Sequence, residues 1–237
     1  MADASVMKRF WTDVGVEPAD GGWQVTLDGR PIRTQGGAAQ IVPSRALAHA
    51  LAKEWRAQGE TVDPHAFPLR DLADYAIDHV APNPAETVAR LLPYAETDTL
   101  CYRADPDEPI YRRQRDLWEP LLIGFEARHG VRLERTSGVI HKPHPPETLS
   151  ALRAALEAKD PFTLAALQTL APLAASLSVA LEAIEPGADP DHLFAAANCE
   201  QDWQAEQWGW DSEAERARAI RLTAFQAAAQ FADLARE

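Results

Sequence analysis

The period at which apolar residues recur changes once along this chain, and that change limits the fold more than any other feature. In Trp23-Gln-Val-Thr-Leu27 apolar and polar residues alternate, the mark of an extended segment with one face on a core. Asp28-Gly29 follows at once and supplies the two left-handed positions of a tight hairpin ahead of Arg30-Pro31. Companion strands are expected at 8–11, 31–34 and 40–42, with Gly21-Gly22 and Gly36-Gly37 as further turns. Together they make a small antiparallel β-meander in which Asp28 and Gly29 are structural. Ser44 then offers an N-cap for a helix over about 45–57, whose Leu47, Leu51 and Trp55 share the face that meets the sheet. Trp55 is read as the buried anchor between helix and sheet.

From Leu69 onward the period is almost wholly helical. Helices are expected at about 69–79, 85–93, 109–129, 146–158, 161–185, 190–208 and 212–235, with prolines and glycines marking most breaks. Two strand-like pieces interrupt them, 99–103 and 131–135, which either pair with each other or rejoin the N-terminal sheet. The Pro-rich stretch 138–146 reads as an exposed loop. The fold class is α+β: a small N-terminal mixed α/β domain with an antiparallel β-meander, residues 1–66, followed by a mainly α-helical domain, residues 67–237.

With 36 acidic against 23 basic side chains the formal net charge is −13, which repels both a phosphate backbone and an anionic membrane surface. No nucleic-acid partner and no membrane insertion are expected. The longest apolar stretch, 164–184, is interrupted by Gln168, Pro172, Ser176, Ser178 and Glu182 and reads as a buried helix. The opening residues lack an apolar core of signal-peptide length. Cys101 and Cys199 lie far apart without metal-ligand spacing and read as buried thiols in a reducing compartment. Phosphate-loop, nucleophile-elbow and dinucleotide motifs are all missing, so no cofactor is expected. His141-Lys-Pro-His144, with His129 upstream, is the nearest approach to a metal set. Pro143 denies that pair a helical backbone, and the reading is a solvated loop without metal.

Seven tryptophans exceed what a core of this size needs, and three of them lie in the acidic segment 200–211. On a continuous helix over 190–208, Leu193, Ala196 and Ala197 precede Glu200 at helical spacing and Trp203 follows it, which puts a carboxylate on an apolar stripe. Such a group is either satisfied internally as a packing residue or left for a partner. Trp203, Trp208 and Trp210 cannot share one helical face. Gly209 is the expected terminator and Asp211 the next cap, so the Trp208-Gly-Trp210 end is the better contact surface. Glu200, Asp202, Trp203, Glu206, Trp208 and Trp210 are the candidate partner-binding residues. A rival reading makes Glu200, Asp202 or Glu206 the general base of an enzyme of unrecognised type, and a third makes the chain an interaction module with some other client.

Several strings, in order along the chain, carry a resemblance. They are Lys8-Arg-Phe-Trp11, Leu27-Asp-Gly-Arg-Pro31, Glu54-Trp-Arg-Ala-Gln58 leading to Val62-Asp-Pro64, and Leu72-Ala-Asp-Tyr-Ala-Ile-Asp78. Tyr94-Ala-Glu-Thr-Asp-Thr-Leu-Cys-Tyr-Arg103, Gln114-Arg-Asp-Leu-Trp-Glu-Pro120 and Glu200-Gln-Asp-Trp-Gln-Ala-Glu-Gln-Trp-Gly209 continue them. Over nearly its whole length the chain resembles the bacterial form of ATP synthase mitochondrial assembly factor 2, the chaperone for the alpha subunit of the catalytic head. The resemblance implies a two-domain protein without enzymatic activity. It would bind unassembled alpha subunit and shield the surface that later meets the beta subunit, with an acidic residue at the position of Glu200 important for function. A monomer is expected. The sequence departs from the family pattern at Gln35 after Thr34, at Phe67-Pro-Leu-Arg70, and at Cys199, where an aspartate is common. The last departure leaves Glu200 to act alone or with Asp202 and Glu206. No Arg-rich leader precedes the first family string, so a bacterial cytoplasm is expected here and the mitochondrial matrix for eukaryotic relatives.

Overall fold

Alternation in the N-terminal segment produces two six-residue strands, β1 (Val14–Ala19) and β2 (Gly22–Leu27), paired antiparallel with Val14 opposite Leu27 and Ala19 opposite Gly22. The computed structural model describes residues 7–138 and 142–237. Asp28 and Gly29 both take positive φ, 48° and 73°, and turn the chain into β3 (Arg30–Pro31). The Asp28 carboxylate accepts the amides of Thr12 and Asp13 at 3.0 and 2.8 Å, and these bonds hold its pKa below the ordinary value. A strand at 8–11 was expected. Lys8 instead makes one isolated bridge to Thr61, flanked by bonds from Arg9 N to Glu60 O and Val62 N to Met7 O, and the pairing goes no further because the amides of Thr12 and Asp13 turn to Asp28. The strand that does lead the sheet, β1, carries Gly15 and Pro18, and Pro18 is tolerated because β1 is an edge.

The strands expected at 31–34 and 40–42 shrink to β3 and to β4 (Ile41–Val42), which pair with opposite ends of β2. Between them the chain leaves the sheet and docks on the next helices. Gln40 Nε2 donates to Asp74 at 2.5 Å, Gln35 N donates to Asp74 at 3.2 Å, and Thr34 Oγ1 and Gly36 N donate to Asp78 at 2.7 and 2.8 Å. At Gly36 a Cβ would sit 2.8 Å from the Asp78 carboxyl, so a larger residue there would have to push that carboxyl off its bonds to Thr34 and Gly36.

Helix α1 (Arg45–Arg56) starts at Ser44, whose Oγ accepts from Leu47 N, and buries Leu47, Ala48, Leu51, Ala52 and Trp55. Trp55 meets Trp11 edge-on at 5.0 Å and Phe67 at 4.7 Å. Its neighbour Glu54 turns the other way and accepts the amides of Leu69 and Arg70 at 2.8 and 2.9 Å. It thereby fills the N-terminal donors of α2 (Pro68–Tyr75), which continues as a π-turn over Ala76–Val80.

The helical part follows as α3 (Pro84–Leu91), α4 (Pro93–Glu96), α5 (Pro109–His129), α6 (Pro146–Glu157) and α7 (Pro161–Ala174). Beyond these lie α8 (Leu177–Ala183), α9 (Pro190–Ala197), α10 (Cys199–Trp208) and α11 (Ser212–Arg236). Most of α7 is buried, as its near-continuous apolar sequence requires, and α2, α3, α8 and α11 pack around it. The helix expected over 161–185 breaks at Ala175, which takes φ 47°. The cause is Asp98, a buried carboxylate that accepts Ser176 Oγ and Ser178 N at 2.8 Å each and whose pKa desolvation raises, while Thr99 N takes the Ala175 carbonyl. The last helix returns to the first: Ser44 Oγ donates to Leu234 O at 2.5 Å. One apolar core joins Trp11 and Trp55 to Phe225 and Phe231. Among the described residues no helix is long and apolar enough to cross a membrane.

The strand pieces expected at 99–103 and 131–135 are corrected. Thr99–Cys101 is a 3-10 turn, and pairing occurs between β5 (Tyr102–Arg103) and β6 (Thr136–Ser137), in parallel. Residues 131–135 form no ladder because side chains take their amides: Leu133 N donates to Glu126, Glu134 N to His144 Nδ1, and Arg132 N to Thr148. His144 is correspondingly not part of a solvated loop. It is buried, with Nε2 against Ala95 O at 2.9 Å, while its sequence partner His141 lies outside the described residues. Both cysteines are free and buried, and burial pushes both thiols up.

Candidate partner-binding surface

Helix α9 is capped by Asp189 and ends at Asn198, where a single residue leaves helical geometry before α10 resumes. The buried line of α9 runs through Leu193, Phe194 and Ala196 to Cys199, and there it stops. Glu200 was expected on that stripe. It sits beside it and is exposed, because Cys199 takes the core position that a continuous helix would have shared with Glu200.

Apart from Cys199, α10 buries no side chain and is held by polar ties to its neighbours. Gln114 Nε2 of α5 donates to Glu200 at 2.6 Å, and Arg113 pairs with Glu206 at 2.5 Å. From α11, Arg218 grips both oxygens of Asp202 at 2.6 and 2.5 Å, and Arg221 donates to Asn198 and Gln201 at 2.5 and 2.7 Å. The Arg113 guanidinium holds the Glu206 carboxyl below its ordinary pKa. The three candidate carboxylates therefore have different environments. Asp202 is half-buried and fully engaged, Glu206 is exposed but paired, and Glu200 is exposed with one hydrogen-bonded oxygen.

The tryptophans also divide. Trp203 is half-buried and meets Trp208 edge-on at 6.2 Å. Trp208 is 76% exposed and Trp210 39%, beside the Gly209 terminator at φ 86°. Asp211 caps α11 by accepting from Glu213 N and Ala214 N. Exposed rings of this size bury much area at little entropic cost when a partner covers them.

Sequence reasoning missed Gln114, Arg113, Arg218 and Arg221. One signal for Gln114 was present: it stands between Ile110 and Trp118 at helical spacing on the buried face of α5, and a polar head there requires partners. Trp118 Nε1 in turn donates to Ala196 O at 2.7 Å and fixes α9 against α5.

An antiparallel sheet followed by a helical array, carrying a surface of exposed rings, belongs to the chaperone class on comparison with known proteins. Residues 8–126 match the family model described as ATP12 chaperone protein, and the chain belongs to that family. It is 27% identical over 214 residues to the mitochondrial protein atp12 of Schizosaccharomyces pombe, covering 85% of this chain and 74% of that one. The crystal structure of Atp12 from Paracoccus denitrificans superposes with a TM-score of 0.92 at 41% identity, over 96% of this chain and 98% of that chain. The Atu1473 protein of Agrobacterium tumefaciens gives 0.90 at 37%, over 95% and 85%.

Proposed function

We propose that the protein is a non-catalytic chaperone of ATP synthase assembly that binds the unassembled alpha subunit of the catalytic head and shields its subunit interface. The observation that supports this most is the presence of exposed Glu200 and Trp208 on a helix fastened by polar ties, with exposed Trp210 just past its end, in a chain of the ATP12 chaperone family. An apolar interface that waits for its partner aggregates, and a reversible cover of large rings and acidic groups prevents this without hydrolysing a nucleotide. Against a general base in this segment, Asp202 is locked by Arg218 and Glu206 is paired with Arg113, so neither acts beside Glu200 as a second free carboxylate. The division after residue 66, a monomeric state and a location in the bacterial cytoplasm belong to the same proposal.

The test is aggregation of purified alpha subunit, followed by light scattering with and without the chaperone. Wild type should suppress it near stoichiometry, and Glu200→Lys should suppress it less while keeping a cooperative melt, lowered by no more than the loss of the one hydrogen bond to Gln114, about 1–3 kcal/mol. Failure of wild type to co-purify with alpha subunit from gentle native extracts would sink the reading.

A further inference from the structure

Glu200 opens onto a surface groove of about 410 Å³ whose walls include Tyr102, Ala104, Ile110, Gly138 and Trp203. Beneath it lies Gln114, wholly buried. Gln114 Oε1 accepts the Ala104 amide at 2.8 Å, which fixes the orientation of the side-chain amide and aims Nε2–H at Glu200 Oε1. One carboxylate oxygen is thereby held in place. The other has no hydrogen-bond partner among the described residues. Arg103 also lines the groove, but its guanidinium is engaged by Glu119 at 2.6 Å, and the remaining charged wall residue is Glu108. The groove is thus a negative pocket with an oriented carboxylate on one wall and an indole on another.

We infer that this groove is a socket for a guanidinium side chain, an arginine presented by the client, with Gln114 as the positioning residue. The inference rests on the client reading above and adds its chemistry. A guanidinium has a planar fork that matches a carboxylate edge and a flat face that stacks on indole, whereas an ammonium offers a point charge that satisfies only the first. Oε1 retains a second lone pair beside its bond to Gln114, so both oxygens of Glu200 accept from the fork. Gln114 contributes by denying the carboxylate its other rotamers.

The probe is N-acetyl-arginine amide, with the neutral isostere N-acetyl-citrulline amide beside it, titrated while the Trp203 indole N–H is followed by NMR. Wild type should show saturable shifts with arginine, on the order of millimolar affinity, and little with citrulline. Glu200→Gln should weaken arginine binding about tenfold. Gln114→Met should reduce the arginine-to-citrulline ratio at a temperature well below its own melt, a change that mere loss of stability would not produce. Equal binding of the two ligands, or no effect of Glu200→Gln, overturns the socket. Aggregation of alpha subunit, measured in parallel, separates the two ideas. Protection by wild type and equally by Glu200→Gln removes the socket and keeps the client; arginine binding without protection by wild type keeps the socket and removes the client.

Discussion

Helices α1 and α10 are of similar length and are held in opposite ways. The first buries Leu47, Ala48, Leu51, Ala52 and Trp55, and its seat is a cluster of rings that includes Trp11 and Phe67. The second buries only Cys199 and is tied by Gln114, Arg113, Arg218 and Arg221. Apolar seating uses up the apolar face, so no large apolar side chain of α1 is left for a partner, and its exposed positions are Arg45, His49, Lys53 and Arg56. Polar ties hold α10 in place while leaving Trp208 outside, at a lower yield of stability per contact. A helix meant to meet another protein is better fastened the second way.

The contrast breaks most sharply at Trp55. Truncating a buried tryptophan costs about 3–5 kcal/mol, and Trp55→Arg adds a cation to a site where the indole N–H itself has no hydrogen-bond partner among the described residues. Measured against a total stability of about 5–15 kcal/mol, the variant should lose its cooperative melting transition. An unchanged melting temperature would show that the ring cluster is dispensable.

A second test sets the two regions against each other through their carboxylates. Burial raises the pKa of Glu54 above its ordinary value despite the two amides it accepts, whereas Arg113 lowers that of Glu206. The contribution of Glu54 is therefore complete below the unfolded value and is lost as pH rises through the folded one. That of Glu206 is present above the unfolded value and is lost as pH falls through the folded one. In urea melts, the cost of Glu54→Gln, about 1–2 kcal/mol in acid, should shrink toward neutral pH. The cost of Glu206→Gln should grow over the same interval. Parallel pH profiles for the two variants would refute the assignment of opposite environments.

What the sequence disclosed follows the same line between apolar and polar seating. The α1 face, the Asp28-Gly29 turn, the full extent of α5 and the caps at Ser44 and Asp211 were legible, because each depends on residues within a few positions of one another. The N-terminal sheet followed by mainly helical structure was legible as well. Breaks imposed from a distance were not. The interruption at Ala175 depends on Asp98, 77 positions earlier in the chain, and the failure of 131–135 to form a strand depends on Glu126, His144 and Thr148. In the candidate surface the residue types were legible and their separation was not. Nothing local distinguishes Asp202, gripped by Arg218, from Glu200, which faces the groove.

Between the extremes stands Asp202→Asn. It removes charge from a half-buried bidentate pair with Arg218, and the expected loss is about 1–2 kcal/mol. Because this tie joins α10 to α11, amide exchange should quicken in α10 before it changes in α7. Uniform acceleration across both helices would mean that α10 is not a separately fastened element.

The smallest effect on stability, and the most informative, is expected for Trp208→Ala. The ring is 76% exposed and its edge contact with Trp203 is its one aromatic contact among the described residues, so the melting free energy should move by no more than about 0.5 kcal/mol. Its effect on client protection should be large by comparison, because a tryptophan covered at the centre of an interface contributes about 2 kcal/mol or more. A variant that melts like wild type and protects alpha subunit at a thirtieth of the affinity would separate contact from packing on one helix. A variant that melts lower and protects equally would place Trp208 with Trp55, as a packing residue, and the polar ties of α10 would then serve stability rather than presentation.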